Sequence, residues 1–192
     1  MRVDFSPPDI TDAECQEVLD ALQSGWITTG PRTKSLEKRV AERCGTSRAV
    51  CLNSATASLE LTLRVLGIGP GDEVIVPAYT YTASASPVVH VGATPVLVDA
   101  GEADGGYGLD PSVLAGAITP RTKAVIPVDI GGRMCDYAGL REVVDSRRHL
   151  FAASGPVQEA LGRIALVADG AHSFGARRDG TPSGSAADFT TF

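Results

Sequence analysis

A carboxylate and an imidazole follow an apolar segment close to the end of the chain. Residues 164–168 form a short apolar run of the kind found in interior strands, Asp169 comes directly after it, and His172 lies three residues further on. Ligands in open α/β sheets bind at the carboxyl ends of the strands, so Asp169 could pair there with a cation or a protonated ring nitrogen, and His172 could reach the same ligand. The alternative is that Asp169 caps the next turn and that His172 is structural.

Two earlier strand ends carry side chains that suit a phosphorylated aromatic ligand. Ser54, Ala55 and Thr56 begin a helix, where free backbone N–H groups favour a phosphate, although a plain N-cap by Ser54 is the alternative. Tyr79 and Tyr81 follow the next strand and could stack on a flat ligand, or could simply be half-buried. A phosphate cradle, a stacking ring and a carboxylate together fit pyridoxal phosphate, because a carboxylate keeps the pyridine nitrogen protonated and the ring then acts as an electron sink.

These residues need a scaffold that brings strand ends together, and the apolar pattern predicts one. Apolar runs alternate with helical segments from residue 49 onward, which is typical of a parallel sheet covered by helices on both faces. We therefore predict the α/β class, with a mostly parallel central sheet in residues 49–192, preceded in residues 1–48 by helices and a turn-rich loop. The predicted strands are 49–53, 73–78, 94–100, 123–130, 164–168 and 187–192, and the predicted helices are about 12–24, 34–44, 55–67, 110–118, part of 82–92 and most of 136–162.

Bulk composition argues against several classes of function. The 192 residues carry a net charge of −6 and have a pI near 5.0, so no basic field attracts nucleic acid or an anionic membrane. No apolar run is long enough to span a bilayer, and the first ten residues lack the apolar core of a signal peptide, so we expect a cytoplasmic protein. The four cysteines form no CxxC pair, which predicts buried reduced thiols and no metal site.

Six longer motifs point to one protein family. They are SGWITTGP (24–31), NSATASLEL (53–61), LGIGPGDEVIVPAYTYTASA (66–85), GATPVLVD (92–99), LDPSVLAGAITPRTKAVIPVDIGG (109–132) and DGAHSFGA (169–176). In this order, and over nearly the whole chain, they resemble the sugar aminotransferases of the DegT/DnrJ/EryC1/StrS family. The resemblance implies the large domain of the pyridoxal-phosphate-dependent transferase fold type I, ending before the Schiff-base lysine and the small C-terminal domain.

The resemblance also assigns cofactor contacts to five residues. The backbone around Ala55 and Thr56 is expected to bind the cofactor phosphate, and Tyr81 is expected to stack on the pyridine ring. Asp169 is expected to pair with the ring nitrogen, and His172 is expected to lie near the ring hydroxyl. Ala55 stands where the family usually has glycine, a mild change if the backbone angles suit a β-carbon.

The reaction implied by the resemblance is amino transfer to a nucleotide-linked keto sugar, with glutamate as the amino donor. Thr28, Thr29 and Gly30 are expected to border the substrate pocket, and the family is expected to form homodimers. The Schiff-base lysine is expected beyond Phe192, so no catalytic residue is assigned within this chain.

Two alternatives stay open at this point. A pyridoxamine-phosphate-dependent sugar dehydratase of the same family has histidine in place of the lysine. Outside catalysis, the chain could be a non-catalytic subunit of a split enzyme, completed by a C-terminal chain that carries the lysine, or a fragment of a broken gene. Fold type I implies a further strand between the first and the last predicted strands, so we expect these 192 residues alone to be unstable or prone to aggregation.

Overall fold

The computed structural model describes residues 7–101 and 107–192. Residues 1–6, on which the signal-peptide prediction partly rests, and residues 102–106 lie outside the described residues. The helices are α1 (Asp12–Gln23), α2 (Pro31–Cys44), α3 (Ala55–Val65), α4 (Thr82–His90), α5 (Pro111–Ala117), α6 (Tyr137–Ser146) and α7 (Pro156–Leu161). The strands are β1 (Glu73–Pro77), β2 (Thr94–Val98), β3 (Thr122–Val125), β4 (Ala165–Asp169), β5 (Arg177–Arg178), β6 (Thr181–Pro182) and β7 (Phe189–Thr191).

One parallel sheet organises the molecule. Its strand order is β2–β1–β3–β4–β7, and each neighbouring pair runs parallel. The strands β5 and β6 form a separate antiparallel hairpin. The prediction of an α/β protein with a parallel sheet flanked by helices is confirmed, whereas the division at residue 48 stays a prediction.

The core lies on both faces of this sheet, because successive side chains of a strand point in opposite directions. Val74 and Val76 of β1 belong to one buried cluster together with Leu59 of α3 and Val88 of α4. Ile75 belongs to the cluster on the other face, which includes side chains of α5 and α6. Burial on both faces explains why β1 is apolar along its interior and does not alternate with polar residues.

The carboxylate of Asp188 fastens β7 beside β4. It accepts a hydrogen bond from the backbone N–H of Leu166 at 2.8 Å and further bonds from Arg163 at 2.6 Å and Arg141 at 2.8 Å. Burial by itself would raise the pKa of Asp188, but the hydrogen bonds from Arg163, Leu166 and Arg141 hold it below its ordinary value. Because β7 directly follows Asp188, this cluster positions the last strand of the sheet.

The predicted strand at residues 49–53 is wrong. The segment is extended but carries no ladder hydrogen bonds, and Val50 keeps 72% of its surface exposed. A strand forms only beside a partner, and a groove of about 800 Å³ separates this segment from β7. Side chains of α2, α3 and β7 line the groove together with residues 46–54. The groove lies where the family resemblance implies a further strand. The apolar run at residues 49–53 was therefore not sufficient to predict a strand, because no neighbouring strand is present among the described residues for it to pair with.

Two smaller differences concern element ends. Helix α2 begins at Pro31 and not near residue 34, because proline suits the first position of a helix. Strand β3 ends at Val125, although Val128 still forms a parallel bridge with Asp169. No helix within the described residues is both long and apolar enough to cross a bilayer.

Candidate active site

Asp169 is the last residue of β4 and lies at the carboxyl edge of the sheet. Its side chain is 7% exposed, and both carboxylate oxygens are hydrogen-bonded. The Ser84 hydroxyl donates to Oδ2 at 2.6 Å, and the backbone N–H of Ala171 donates to Oδ1 at 3.2 Å. An acid that is buried and held from two sides at a strand end is suited to binding a cationic group of a ligand.

Tyr81 stands one helical turn from the residue that binds Asp169. It is the N-cap of α4, and its carbonyl accepts a hydrogen bond from the backbone N–H of Ser84 at 3.0 Å. The Tyr81 ring is 78% exposed, so its face is available to a flat ligand beside Asp169. The structure therefore links two of the predicted site residues, Tyr81 and Asp169, through hydrogen bonds to Ser84.

His172 follows β4 and is fastened to the loop after β3. The backbone N–H of Gly131 donates to its Nδ1 at 3.2 Å, so the ring is the tautomer that carries a proton on Nε2. Gly132 has a φ of +82°, and a β-carbon there would lie 2.9 Å from the His172 carbonyl oxygen. Only glycine therefore fits this close approach without displacement. His172 lies in the loop that follows Asp169, and its Nε2–H group is a hydrogen-bond donor.

The sequence analysis missed a second carboxylate behind this loop. Asp129 is 1% exposed and accepts hydrogen bonds from Tyr137 Oη at 2.8 Å, the Cys135 backbone N–H at 3.0 Å and Ser173 Oγ at 2.7 Å. Burial raises the pKa of Asp129, and these three donors oppose the shift. Its position after the apolar run of β3, like that of Asp169 after β4, is the signal that could have found it.

The start of α3 supplies two unused donors. A short turn joins α3 to β1, so the helix runs antiparallel to the strands and begins at the carboxyl edge of the sheet. The Ser54 hydroxyl accepts from the Ala57 N–H at 3.1 Å, so Ser54 is an N-cap, as the alternative interpretation of this helix start held. Among the described residues, no hydrogen bond uses the N–H groups of Ala55 or Thr56, and such N–H groups at a helix start bind anions.

The loop that carries Thr28, Thr29 and Gly30 is folded onto itself. Trp26 Nε1 donates to the Thr29 carbonyl at 3.2 Å, and the indole covers Gly30 so closely that a β-carbon there would collide with it. Thr28 and Thr29 are exposed. No hydrogen bond between the described residues links this loop to Asp169 or to α4, and the expectation that it borders the substrate stays a prediction.

The donor set at this edge fits a phosphorylated pyridine. The site combines an acceptor-only carboxylate for a ring N–H, an exposed aromatic ring and unused N–H groups for a phosphate. Within residues 7–101 and 107–192, no group of three or more His, Cys, Asp or Glu side chains is arranged to bind a metal ion.

Comparison with known proteins finds related sequences and related folds for this chain. Residues 8–192 match the DegT/DnrJ/EryC1/StrS aminotransferase family. The chain is 39% identical over its full length to GDP-perosamine synthase of Caulobacter vibrioides, of which it covers 47%. It is 44% identical over 142 residues, or 74% of its length, to the spore coat polysaccharide biosynthesis protein SpsC of Bacillus subtilis, of which it covers 36%. The chain thus spans less than half the length of these relatives.

A solved structure agrees with these sequence matches. The Streptococcus pneumoniae protein Spr1654, described as a sugar aminotransferase, superposes in its PMP-form with a TM-score of 0.95 and 56% identity over 99% of this chain and 47% of that one. The PLP-form of the same protein gives the same TM-score.

Proposed function

The chain belongs to the DegT/DnrJ/EryC1/StrS aminotransferase family, and from this premise we propose that it forms the cofactor-binding part of an aminotransferase for nucleotide-linked keto sugars. The family depends on pyridoxal phosphate. The observation that carries the proposal is the buried Asp169 carboxylate, bonded at both oxygens and placed one helical turn from the exposed ring of Tyr81.

Each predicted site residue has one task in this proposal. Asp169 accepts the N–H of the pyridine ring, and its burial keeps water from competing for that proton. Tyr81 stacks on the ring face, and the N–H groups of Ala55 and Thr56 bind the phosphate. His172 donates from Nε2 toward the ring hydroxyl. When bound, pyridoxal phosphate supplies the electron sink through which an amino group is moved.

The lysine that attaches to the cofactor is proposed to lie outside these residues. Lys34 and Lys38 are on α2 and face Glu37 and Glu42. Lys123 is near the amino end of β3, where its ammonium donates to the Ala152 carbonyl at 2.5 Å. Because β3 and β4 are parallel, Lys123 is at the opposite edge of the sheet from Asp169. None of the three can therefore serve the site.

The substrate proposal rests on the relatives and on the loop before α2. GDP-perosamine synthase is named for a nucleotide-linked amino sugar, which supports a nucleotide-linked keto sugar as acceptor. Glutamate is proposed as the amino donor because the family resemblance implies it. Thr28, Thr29 and Gly30 lie in an exposed loop that can offer hydroxyl and backbone donors to a sugar. We propose that this loop borders the substrate, in a homodimer or in a complex with a chain that completes the enzyme.

Isotope transfer tests the proposal directly. The full protein, loaded with pyridoxal phosphate, is incubated with [15N]glutamate and a panel of nucleotide-linked keto sugars, and mass spectrometry follows the label. We expect 15N in an amino sugar, loss of transfer in Asp169→Asn and little change in the exposed control Asp9→Asn. Absence of label with every sugar would contradict the proposal. Loss of water from the sugar without uptake of nitrogen would favour the dehydratase instead.

Reduction with borohydride identifies the chain that carries the lysine. Intact-mass measurement of every polypeptide in the purified protein is expected to find the cofactor mass on a lysine outside residues 1–192, whether in the same chain or in a copurifying one. Cofactor mass on Lys34, Lys38 or Lys123 would overturn that assignment.

A further inference from the structure

A short chain of hydroxyl groups leads to the carboxylate of Asp169. Ser84 Oγ lies 2.6 Å from Asp169 Oδ2, and Thr80 Oγ1 lies 2.8 Å from Ser84 Oγ. Ser84 is 1% exposed, so water has little access to replace its hydroxyl. These residues come from the first turn of α4 and the loop before it, whereas Asp169 comes from the end of β4.

The direction of the hydrogen bonds follows from counting protons. A hydroxyl has one proton to donate, and an ionised carboxylate only accepts. A separation of 2.6 Å is typical of an O–H donor to a charged oxygen. The Ser84 proton therefore points to Asp169, which leaves the Ser84 oxygen to accept the proton of Thr80. Thr80 thus orients Ser84, and Ser84 orients Asp169.

We infer that Ser84, supported by Thr80, is a positioning residue that keeps the proton shared with the cofactor on the pyridine nitrogen. This rests on the proposed function. A donor at Oδ2 stabilises the carboxylate over the carboxylic acid, so the pair formed by Asp169 and the ring is held as carboxylate and pyridinium. Without that donor, Asp169 would hold the shared proton more strongly, and the bound ring would be a weaker electron sink.

The same bond sets the geometry of the ring site. The Ala171 N–H holds Oδ1 at 3.2 Å while Ser84 holds Oδ2, so the plane of the Asp169 carboxylate has little freedom to turn. Because the Ser84 N–H also donates to the carbonyl of Tyr81, one residue links the stacking ring to the carboxylate. A shift of α4 would therefore move the Tyr81 ring and the Ser84 hydroxyl together.

The 15N NMR signal of ring-labelled pyridoxal phosphate, bound to the full protein, reads the position of this proton directly. We expect a pyridinium signal in the wild type and a clear displacement toward the neutral-pyridine signal in Ser84→Ala. The displacement is expected to correspond to about a tenfold change in how the proton is distributed between the ring nitrogen and Asp169, because one hydrogen bond to a charged group is lost. Ser84→Thr keeps the hydroxyl and is expected to restore the wild-type signal. Thr80→Val is expected to move the signal in the same direction by a smaller amount.

Ser86→Ala is the matched control, because Ser86 lies on the same helix and its hydroxyl forms no hydrogen bond with the described residues. A signal in Ser84→Ala that equals that of the wild type would overturn the inference and leave the proposed function intact. A shift in Ser86→Ala as large as that in Ser84→Ala would also overturn the inference and leave the proposed function intact. If Ser84→Ala does not fold, an unchanged signal in Thr80→Val overturns the inference. If the wild type binds no pyridoxal phosphate, both the proposed function and the inference fail.

Discussion

The backbone N–H of Asp129 donates to the carbonyl oxygen of Asp169 at 3.0 Å, which joins two carboxylate residues at the ends of neighbouring parallel strands. Their side chains have separate partners. Asp169 is bound by Ser84 and by the Ala171 N–H, whereas Asp129 is bound by Tyr137, Cys135 and Ser173. One edge of the sheet thus carries a carboxylate that faces the candidate ligand and another that supports the loop beside it.

Asp129→Asn tests the supporting carboxylate through pH. Burial raises the pKa of Asp129 in the folded protein. At pH values between the ordinary pKa and the folded pKa, the folded state therefore binds more protons than the unfolded state. In that range the free energy of unfolding falls as pH rises. We expect the free energy of unfolding of the wild type, relative to Asp129→Asn, to be highest below about pH 4 and to decline as pH rises above it. Urea titrations over a pH series measure this, with exposed Asp9→Asn as control; a difference that grows with pH would contradict it.

Asp188→Asn is expected to show the opposite pH dependence. The donors from Arg163, Leu166 and Arg141 lower the pKa of Asp188, so its stabilisation is complete above the unfolded pKa and is lost as pH falls through the folded one. Near neutral pH we expect a loss of about 2 kcal/mol or more, since a nearly buried ion pair is broken. The more exposed pair of Glu60 with Arg64 provides the control variant Glu60→Gln. If Asp188→Asn lost the same free energy of unfolding at pH 7 and in strong acid, the stabilising role of the Asp188 carboxylate would be refuted.

Gly132→Ala and Gly131→Ala separate a steric contact from backbone strain. Both glycines have positive φ, but only a β-carbon at Gly132 would meet the His172 carbonyl, at 2.9 Å, whereas nothing lies within 4 Å of one at Gly131. We expect both variants to lose stability from strain, about 1–3 kcal/mol, and Gly132→Ala to lose more and to bind pyridoxal phosphate more weakly. Thermal unfolding and cofactor titration measure the two effects. Equal behaviour of the variants would show that the contact with His172 is unimportant.

Gly30→Ala should displace the indole that covers it. Trp26 is the single tryptophan of the sequence, so its fluorescence reports the change, and we expect a red shift as the ring moves into water. Gly155→Ala is the matched control, because both glycines are extended N-cap residues but no atom lies within 4 Å of a β-carbon at Gly155. An unchanged emission spectrum in Gly30→Ala would mean that the loop relaxes without moving Trp26.

A polypeptide of residues 1–192 alone is expected to aggregate. The outer edge of β7 faces the groove, and Val50, Leu52 and Leu61 are exposed along its walls; unpaired strand edges with apolar surface associate with other chains. Size-exclusion chromatography is expected to show high-mass species, reduced in Val50→Lys. A sharp monomer peak together with cooperative unfolding would contradict this prediction.

Local pattern was sufficient for most of the fold. Apolar runs bounded by glycine and proline predicted the strands of the parallel sheet, and Thr11 with Glu14 forms the capping box that begins α1. The segment at residues 49–53 has the same apolar character but forms no strand, because hydrogen-bonded pairing depends on a neighbour that the segment cannot supply. Position 30 also depends on a neighbour. It requires glycine because the indole of Trp26 covers it, and not because of its own backbone angles.

The sequence by itself determined that Asp169 and Tyr81 follow strands whose carboxyl ends share one edge of the sheet. The start of α3 follows no strand, and only the fold brought it to that edge. Tertiary structure alone decided which groups bind them. Ser84 reaches Asp169 across 85 positions of sequence, and Ser173 reaches Asp129 across 44. Propensity and periodicity act over a few neighbouring residues, whereas a hydrogen bond between side chains depends on how the sheet packs α4 and the loops against its edge. The sequence around Ser84, in the first turn of a helix, therefore does not reveal that this serine orients Asp169.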